Sequence, residues 1–232
     1  MHLGRHISGQ FNAELEAIRT HVLTMGGLVE QQLSFAMQAL HKQDVALARK
    51  VVRDDHKVNG MEVSIDEACT KIIAKRQPTA KDLRLIMAII KTITDLERIG
   101  DVATKIAYIA IENPGSAEQN FQVSLEPLCR KAIAMLHQVL DAFARMDTDS
   151  AAEVYKLDSK LDAEYKAVVS QLIKHMQEAP QNIPGILQVM WSAQAIERVG
   201  DRCQNICEYI IYFVKGKDVR HLDDEGDIDK YI

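Results

Sequence analysis

Glu97 and Asp101 stand four residues apart, and so do Glu197 and Asp201. On a helix that spacing puts both side chains of a pair on one face. Like charges so placed destabilise a helix by about 0.2–0.5 kcal/mol, and the penalty grows once either carboxylate is partly desolvated. A bound cation removes both costs, and an oxygen-only donor set suits Mg, Mn, Ca or Fe better than Zn, which takes His and Cys. One such pair alone carries little weight. Glu62 and Asp66 form another, and a pair of this kind is commonly a solvated face or half of a salt-bridge lattice. What lifts the two pairs above that reading is duplication. Glu97-Arg98-Ile99-Gly100-Asp101 and Glu197-Arg198-Val199-Gly200-Asp201 lie 100 residues apart in register. Each also holds a glycine inside a helical pattern, which costs about 1 kcal/mol against alanine and points to the close approach of a backbone or a ligand.

The repeat extends upstream at an offset of 103: Ala39–Asp44 matches Ala142–Asp147, and Asp55–Asn59 matches Asp158–Asp162. Asp55 with Asn59 and Asp158 with Asp162 repeat the four-residue spacing at matched positions. If the helices that carry them neighbour the motif helices, each site gathers ligands from two helices. Exposed acidic faces are an equal alternative. The candidate metal ligands are therefore Asp55, Glu97 and Asp101 in the first copy, and Asp158, Asp162, Glu197 and Asp201 in the second. The copies differ nearby. Lys105 follows Asp101 by one turn, where it can pair with that carboxylate, while Asn205 follows Asp201 and can itself ligate. Asp95 has Ala195 as its counterpart. On this reading the second site binds cation more tightly.

Positioning these groups needs helices. Leu85, Ile89, Thr92, Leu96, Ile99, Ala103, Ile106 and Ala110 alternate four- and three-residue steps, a coiled-coil-like seam. Val189, Ile196, Val199, Cys203, Ile206 and Ile210 follow the same steps. Pro78, Pro114, Pro127, Pro180 and Pro184 fall at element boundaries. Helices are expected over residues 10–42, 44–76, 79–112, 122–146, 149–178 and 182–215. Long helices on short links pack antiparallel, so the fold is all-α, a tandem repeat of two three-helix bundles over 1–116 and 117–216, with a frayed acidic tail over 217–232. Gly26-Gly27 reads as a close-packing point or a kink in the first helix, and the stripe around Trp191 reads as core.

Composition excludes several classes. At 47% hydrophobic and 26% charged, the 232 residues are those of a soluble globular protein. No apolar run reaches membrane-spanning length, and the start lacks the apolar region of a secretory signal. A net charge of −5 with no basic stripe argues against nucleic acid. Cys69, Cys129, Cys203 and Cys207 lack disulfide or zinc spacing and read as buried structural thiols in a reducing cytoplasm. No His follows a Glu by three residues, no local signal selects a phosphorelay histidine, and no phosphate loop, nucleophile elbow or triad pattern occurs.

The duplicated E-R-[IV]-G-D, the opening HISGQFNAELEAIRTHVLTMGG, the segment SIDEACTKIIAKRQPTAKDLR and the ending IERVGDRCQNICEYIIYFVKG resemble the PhoU family of bacterial phosphate-transport accessory proteins, from His6 to about His221. The resemblance implies a two-fold repeat of three-helix bundles, frequent homodimers, and metal at Glu97, Asp101, Glu197 and Asp201. It also implies cytoplasmic work beside the membrane. There a member of the family couples a PstB-type ATPase of the phosphate ABC transporter to a PhoR-type sensor kinase and holds the phosphate-starvation response off. Two function classes stand at this point: a non-enzymatic regulator with structural or sensory metal, and a metal-dependent phosphohydrolase using the same carboxylates.

Overall fold

The computed structural model describes residues 3–112, 123–220 and 225–232. Eight α-helices form among them: α1 (Leu3–Lys42), α2 (Val45–Asp54), α3 (His56–Arg76), α4 (Ala80–Glu112), α5 (Glu126–Arg145), α6 (Thr148–Tyr155), α7 (Asp158–Glu178) and α8 (Ile183–Lys215). Short 3-10 turns cover Pro180–Asn182 and Glu225–Tyr231, and no strand occurs among the described residues. All eight predicted seam residues of α4 and all six of α8 are buried. The prolines act as expected: Pro127 and Pro184 sit in the first turns of α5 and α8, where a missing N–H leaves nothing unsatisfied. Pro114 and the expected start of the fourth helix at 122 lie outside the described residues.

The links between helices repeat along with the helices. Gln43 and Met146, in register, both adopt the left-handed conformation (φ 56° and 51°) that ends a helix. The next residue in each copy is an aspartate that caps the following helix: Asp44 accepts from the Leu47 N–H, and Asp147 from those of Asp149 and Ser150.

Two expected helices are each broken in two, at Asp55 and at Lys156–Leu157. No proline or glycine marks either break. At the first, the Val58 N–H bonds the Asp55 carbonyl at 2.9 Å; at the second, the Leu157 N–H bonds the Val154 carbonyl at 2.9 Å. These three-residue bonds tighten the turn and bend the chain. The breaks let α2 and α3 both contact α4, and let α6 and α7 both contact α8.

The motif helices α4 and α8 pack on each other and are the axis of the molecule. Helices α1, α2 and α3 pack on α4, while α5, α6 and α7 pack on α8. Helix α1 also lies on α5, and one continuous apolar core runs through both halves, from Val22 and Leu96 to Leu136 and Ile206. At the α1–α5 contact a Cβ on Gly26 would strike Leu140, whereas Gly27 has open space; α1 runs through both without interruption. Gly26 is thus the close-packing point.

Two expectations are corrected. Trp191 is 57% exposed and is not core. The tail is not frayed where it is described. Ile228 is fully buried, Lys156 pairs with Asp229 at 2.6 Å, and Lys215 bonds the Ile232 carbonyl at 2.6 Å. Residues 221–224, which include Asp223 and Asp224, lie outside the described residues.

Candidate metal centre

The helix break at Asp55 exists because its carboxylate is wanted elsewhere. Oδ1 accepts from Gln32 Nε2 on α1 at 2.8 Å, and Oδ2 accepts from Asn59 Nδ2 at 3.2 Å. Gly100 makes room for this arrangement: a Cβ there would meet Gln32 Oε1 at 3.3 Å and Asp55 Oδ1 at 3.6 Å. The match in the other half is tighter. A Cβ on Gly200 would collide with the buried Asp158 Oδ1 and with Leu161 Cδ2 at 2.6 Å. The approach of Asp158 and Leu161 therefore explains Gly200, while Gly100 stands in only ordinary contact with Asp55.

In each half the carboxylates act on one another: Asp101, Glu62 and Asp55 on Glu97, and Asp201 and Asp162 on Glu197. Glu97, half-buried, has its pKa raised by desolvation first, then by the charges of Asp101, Glu62 and Asp55, with Arg98 opposing. Glu197 is raised by desolvation, then by Asp201 and Asp162, with Arg198 and Lys166 opposing. Asp201 is also raised by desolvation; Arg202 and Arg198 lower it, and Asp162 raises it further. The first copy carries Asn59 where the second carries Asp162, and Glu62 supplies the fourth carboxylate from a position one turn further along α3. Sequence reading set Glu62 aside as half of an ordinary pair with Asp66. The available signal was that Asp55, Asn59 and Glu62 share one face at helical spacing.

The two contacts from which a tighter second site was expected are not formed. Lys105 makes no ion pair among the described residues and lines a groove with Trp191 instead. Asn205 donates to Asp95 at 3.4 Å rather than facing Asp201. The neutralising cations gather on the second site: Lys166 is 3.5 Å from Asp162, and Arg198 and Arg202 both oppose the Asp201 shift.

The donor set fits an oxygen-seeking cation. It consists of carboxylates, of which Glu97, Glu197 and Asp201 are held up in pKa, chiefly by burial. At the first centre there is also a buried amide oxygen, Gln32 Oε1, with no hydrogen-bond partner among the described residues. Among the described residues no three His, Cys, Asp or Glu side chains stand close enough to be a formed site, so a cation would have to draw these carboxylates together.

Asp95 is the polar residue that sequence reading left without a role. It lies 1% exposed between α4 and α8. Tyr209 Oη donates to it at 2.9 Å and Asn205 Nδ2 at 3.4 Å; the guanidinium groups of Arg202 and Arg98 stand 3.5 and 3.7 Å away. Lys91 covers the Tyr209 and Tyr212 rings at 5.3 and 5.8 Å. The four cysteines are buried thiols; burial pushes Cys69 up to about 12 and also raises Cys203 and Cys207, so these three are inert packing groups.

Residues 22–110 and 125–210 match the PhoU domain, once in each half. The chain belongs to the PhoU family. It is 62% identical to the phosphate-specific transport system accessory protein PhoU of Serratia marcescens over 96% of this chain and 91% of that one. It is 58% identical to the protein of the same name from Escherichia coli (strain K12), over 100% and 96% of the two chains. The crystal structure of PhoU from Pseudomonas aeruginosa superposes with a TM-score of 0.85 at 44% identity, covering 89% of this chain and 100% of that one. The phosphate transport system regulatory protein PhoU from Streptococcus pneumoniae superposes with a TM-score of 0.82 at 27% identity, covering 90% and 99%. Within this PhoU fold no described helix is long and apolar enough to cross a membrane.

Proposed function

We propose that this PhoU-family protein is a non-catalytic regulator of phosphate uptake that holds the phosphate-starvation response off when phosphate is plentiful. In this reading it works in the cytoplasm, as a homodimer, between a PstB-type ATPase of the phosphate ABC transporter and a PhoR-type sensor kinase. Divalent or ferric cations (Mg, Mn or Fe) bind at Asp55, Glu62, Glu97 and Asp101, and at Asp158, Asp162, Glu197 and Asp201. The observation that carries the reading is near full-length identity of 58–62% with proteins named as accessory to phosphate-specific transport. The electrostatics support the cation sites: three of these carboxylates have raised pKa values because burial and their neighbours disfavour their charge.

Deleting the gene should leave a phosphate-regulated promoter active in phosphate-rich medium. A promoter that stays silent refutes the regulatory role. Metal analysis of protein purified without a histidine tag tests the cation sites. Turnover of a generic phosphoester by metal-loaded protein, lost in Asp201→Asn, would replace the regulator with a phosphohydrolase.

A further inference from the structure

Helices α4 and α8 run antiparallel: Asp95 meets Arg202, Asn205 and Tyr209, while Lys105 and Ile109 lie with Trp191 and Ala195. Because the two helices correspond at an offset of 100, each contact on one side of this interface has a mate on the other. The mate of the Asp95 cluster is an open groove of about 330 Å³. In it Ala195 replaces Asp95, Arg198 replaces Arg98, Lys105 replaces Asn205, Tyr108 replaces Glu208, Ile109 replaces Tyr209 and Trp191 replaces Lys91. On the closed side two guanidinium groups converge on one buried carboxylate. On the open side Val102 replaces Arg202, so the two cations there are Arg198 and, in place of Asn205, Lys105; no carboxylate lines the groove, and neither cation has an ion-pair partner among the described residues. Trp191 and Tyr108, 57% and 49% exposed, flank the gap.

We propose that this groove docks a segment of a partner protein that places an Asp or Glu where Ala195 leaves space, with an apolar neighbour against Trp191 and Tyr108. The closed side is the template: it shows what this interface looks like when a carboxylate is in place. Two cations lining one short groove match one acidic side chain, not the long run of charge that a nucleic acid presents. Trp, Tyr and Arg are the residue types that carry most binding energy at protein interfaces, and Arg suits a carboxylate because its guanidinium can bond both oxygens. The groove lies at the small end of binding pockets and is open along its length, which fits a chain segment passing over it.

The test uses a random peptide library selected on the wild-type protein and counter-selected on Ala195→Asp. That variant supplies the carboxylate internally, beside Arg198 and Lys105. Enriched peptides should share an Asp or Glu beside an aliphatic or aromatic residue. Their binding is read from the emission of Trp191, the only tryptophan in the chain. The expected result is a saturable blue shift, weakened about tenfold or more when the peptide carboxylate becomes an amide or when Arg198→Ala is introduced. Tyr108→Ser should weaken it too, and Glu67→Gln, at an exposed pair with Lys71 on α3, should leave it unchanged. No enrichment, enriched sequences without an acid, or undiminished binding to Ala195→Asp overturns the proposal. A shift that follows protein concentration alone assigns the groove to a second copy of the chain, and the same shift with succinate alone assigns it to a small acid. Binding seen only after residues 113–122 are replaced by a glycine-serine linker assigns it to the chain's own connector. Each of these three results also overturns the proposal.

Discussion

The first-half centre should hold a divalent cation more tightly than the second. Around Glu97 stand Asp101, Glu62 and Asp55, opposed only by Arg98, which leans toward Asp95 at 3.7 Å. Around Glu197 and Asp201 stand Asp162 and Asp158, but also Arg198 and Lys166, with Arg202 leaning toward Asp95 at 3.5 Å. A further positive charge some 8 Å from a bound cation opposes it by about 0.5–2 kcal/mol at effective dielectric constants between water and a protein surface. Two such charges make the second site roughly tenfold weaker or worse. Metal at a hundred times the first site's Kd then contributes about 2.7 kcal/mol of stability through that site. At the same concentration a tenfold weaker site contributes about 1.4 kcal/mol. For a chain of this size these correspond to rises of about 5–10 °C and about 3–6 °C in Tm.

The assay is a melting series with and without Mg or Mn on Glu97→Gln with Asp101→Asn, and on Glu197→Gln with Asp201→Asn. Both double variants should melt slightly higher than wild type without metal, because burial and repulsion already disfavour the charged forms. The first should lose the larger part of the metal-induced rise. Equal losses, or a larger loss from the second variant, refute the charge argument. An undiminished rise in both refutes the sites.

Gly200→Ala should cost roughly 1–2 kcal/mol in denaturant unfolding, since its Cβ strikes Asp158 and Leu161 and overpacking outweighs the gain in helix propensity. Gly100→Ala, with nothing closer than the movable Gln32 amide at 3.3 Å, should be neutral or stabilising by up to about 1 kcal/mol. Asp95→Ala should cost about 2–4 kcal/mol by the same measurement, because it strands the Tyr209 hydroxyl and leaves the half-buried Arg202 unpaired. Glu208 has its pKa pushed up to about 7 by burial, with Arg220 and Lys91 opposing and Asp218 and Asp95 adding. A raised carboxyl stabilises the fold below its unfolded pKa and loses that contribution as pH rises through the folded value. Glu208→Gln should therefore match wild type near pH 4.5 and melt higher near pH 8, with no difference at pH 8 refuting the assignment.

The helical fold was legible because it rests on local signals: the seam of alternating steps, the prolines at boundaries and the repeat itself. The breaks at Asp55 and Lys156–Leu157 were not, because their cause is tertiary. Nothing in the run from Arg53 to Val58 interrupts a helix; the bend follows from Asp55 reaching Gln32 on another helix. Glu62 was missed because a pair with Asp66 explained it locally, while its true neighbour, Glu97, lies in a different helix. Lys105 was misassigned for the same reason in reverse. Helical spacing allowed a pair with Asp101, but the packing of α4 on α8 puts its side chain in the groove with Trp191.

Duplication alone would have built two equivalent halves, and the substitutions at one interface show how they diverged. The motif arginine of the first half, Arg98, and the arginine that follows Asp201 in the second, Arg202, converge on the same buried carboxylate, Asp95. Each is attached to the helix turn that carries one of the two carboxylate pairs. The side of the α4–α8 interface that kept its acid is therefore closed and ties both centres to one ion-pair cluster. The side where alanine stands in its place presents two cations and two aromatic rings at an open groove. More than the carboxylate changed there: Val102 stands for Arg202, Lys105 for Asn205, Ile109 for Tyr209 and Trp191 for Lys91, so the groups that seal one side around an acid are exchanged on the other for an indole and a cation that leave the groove open.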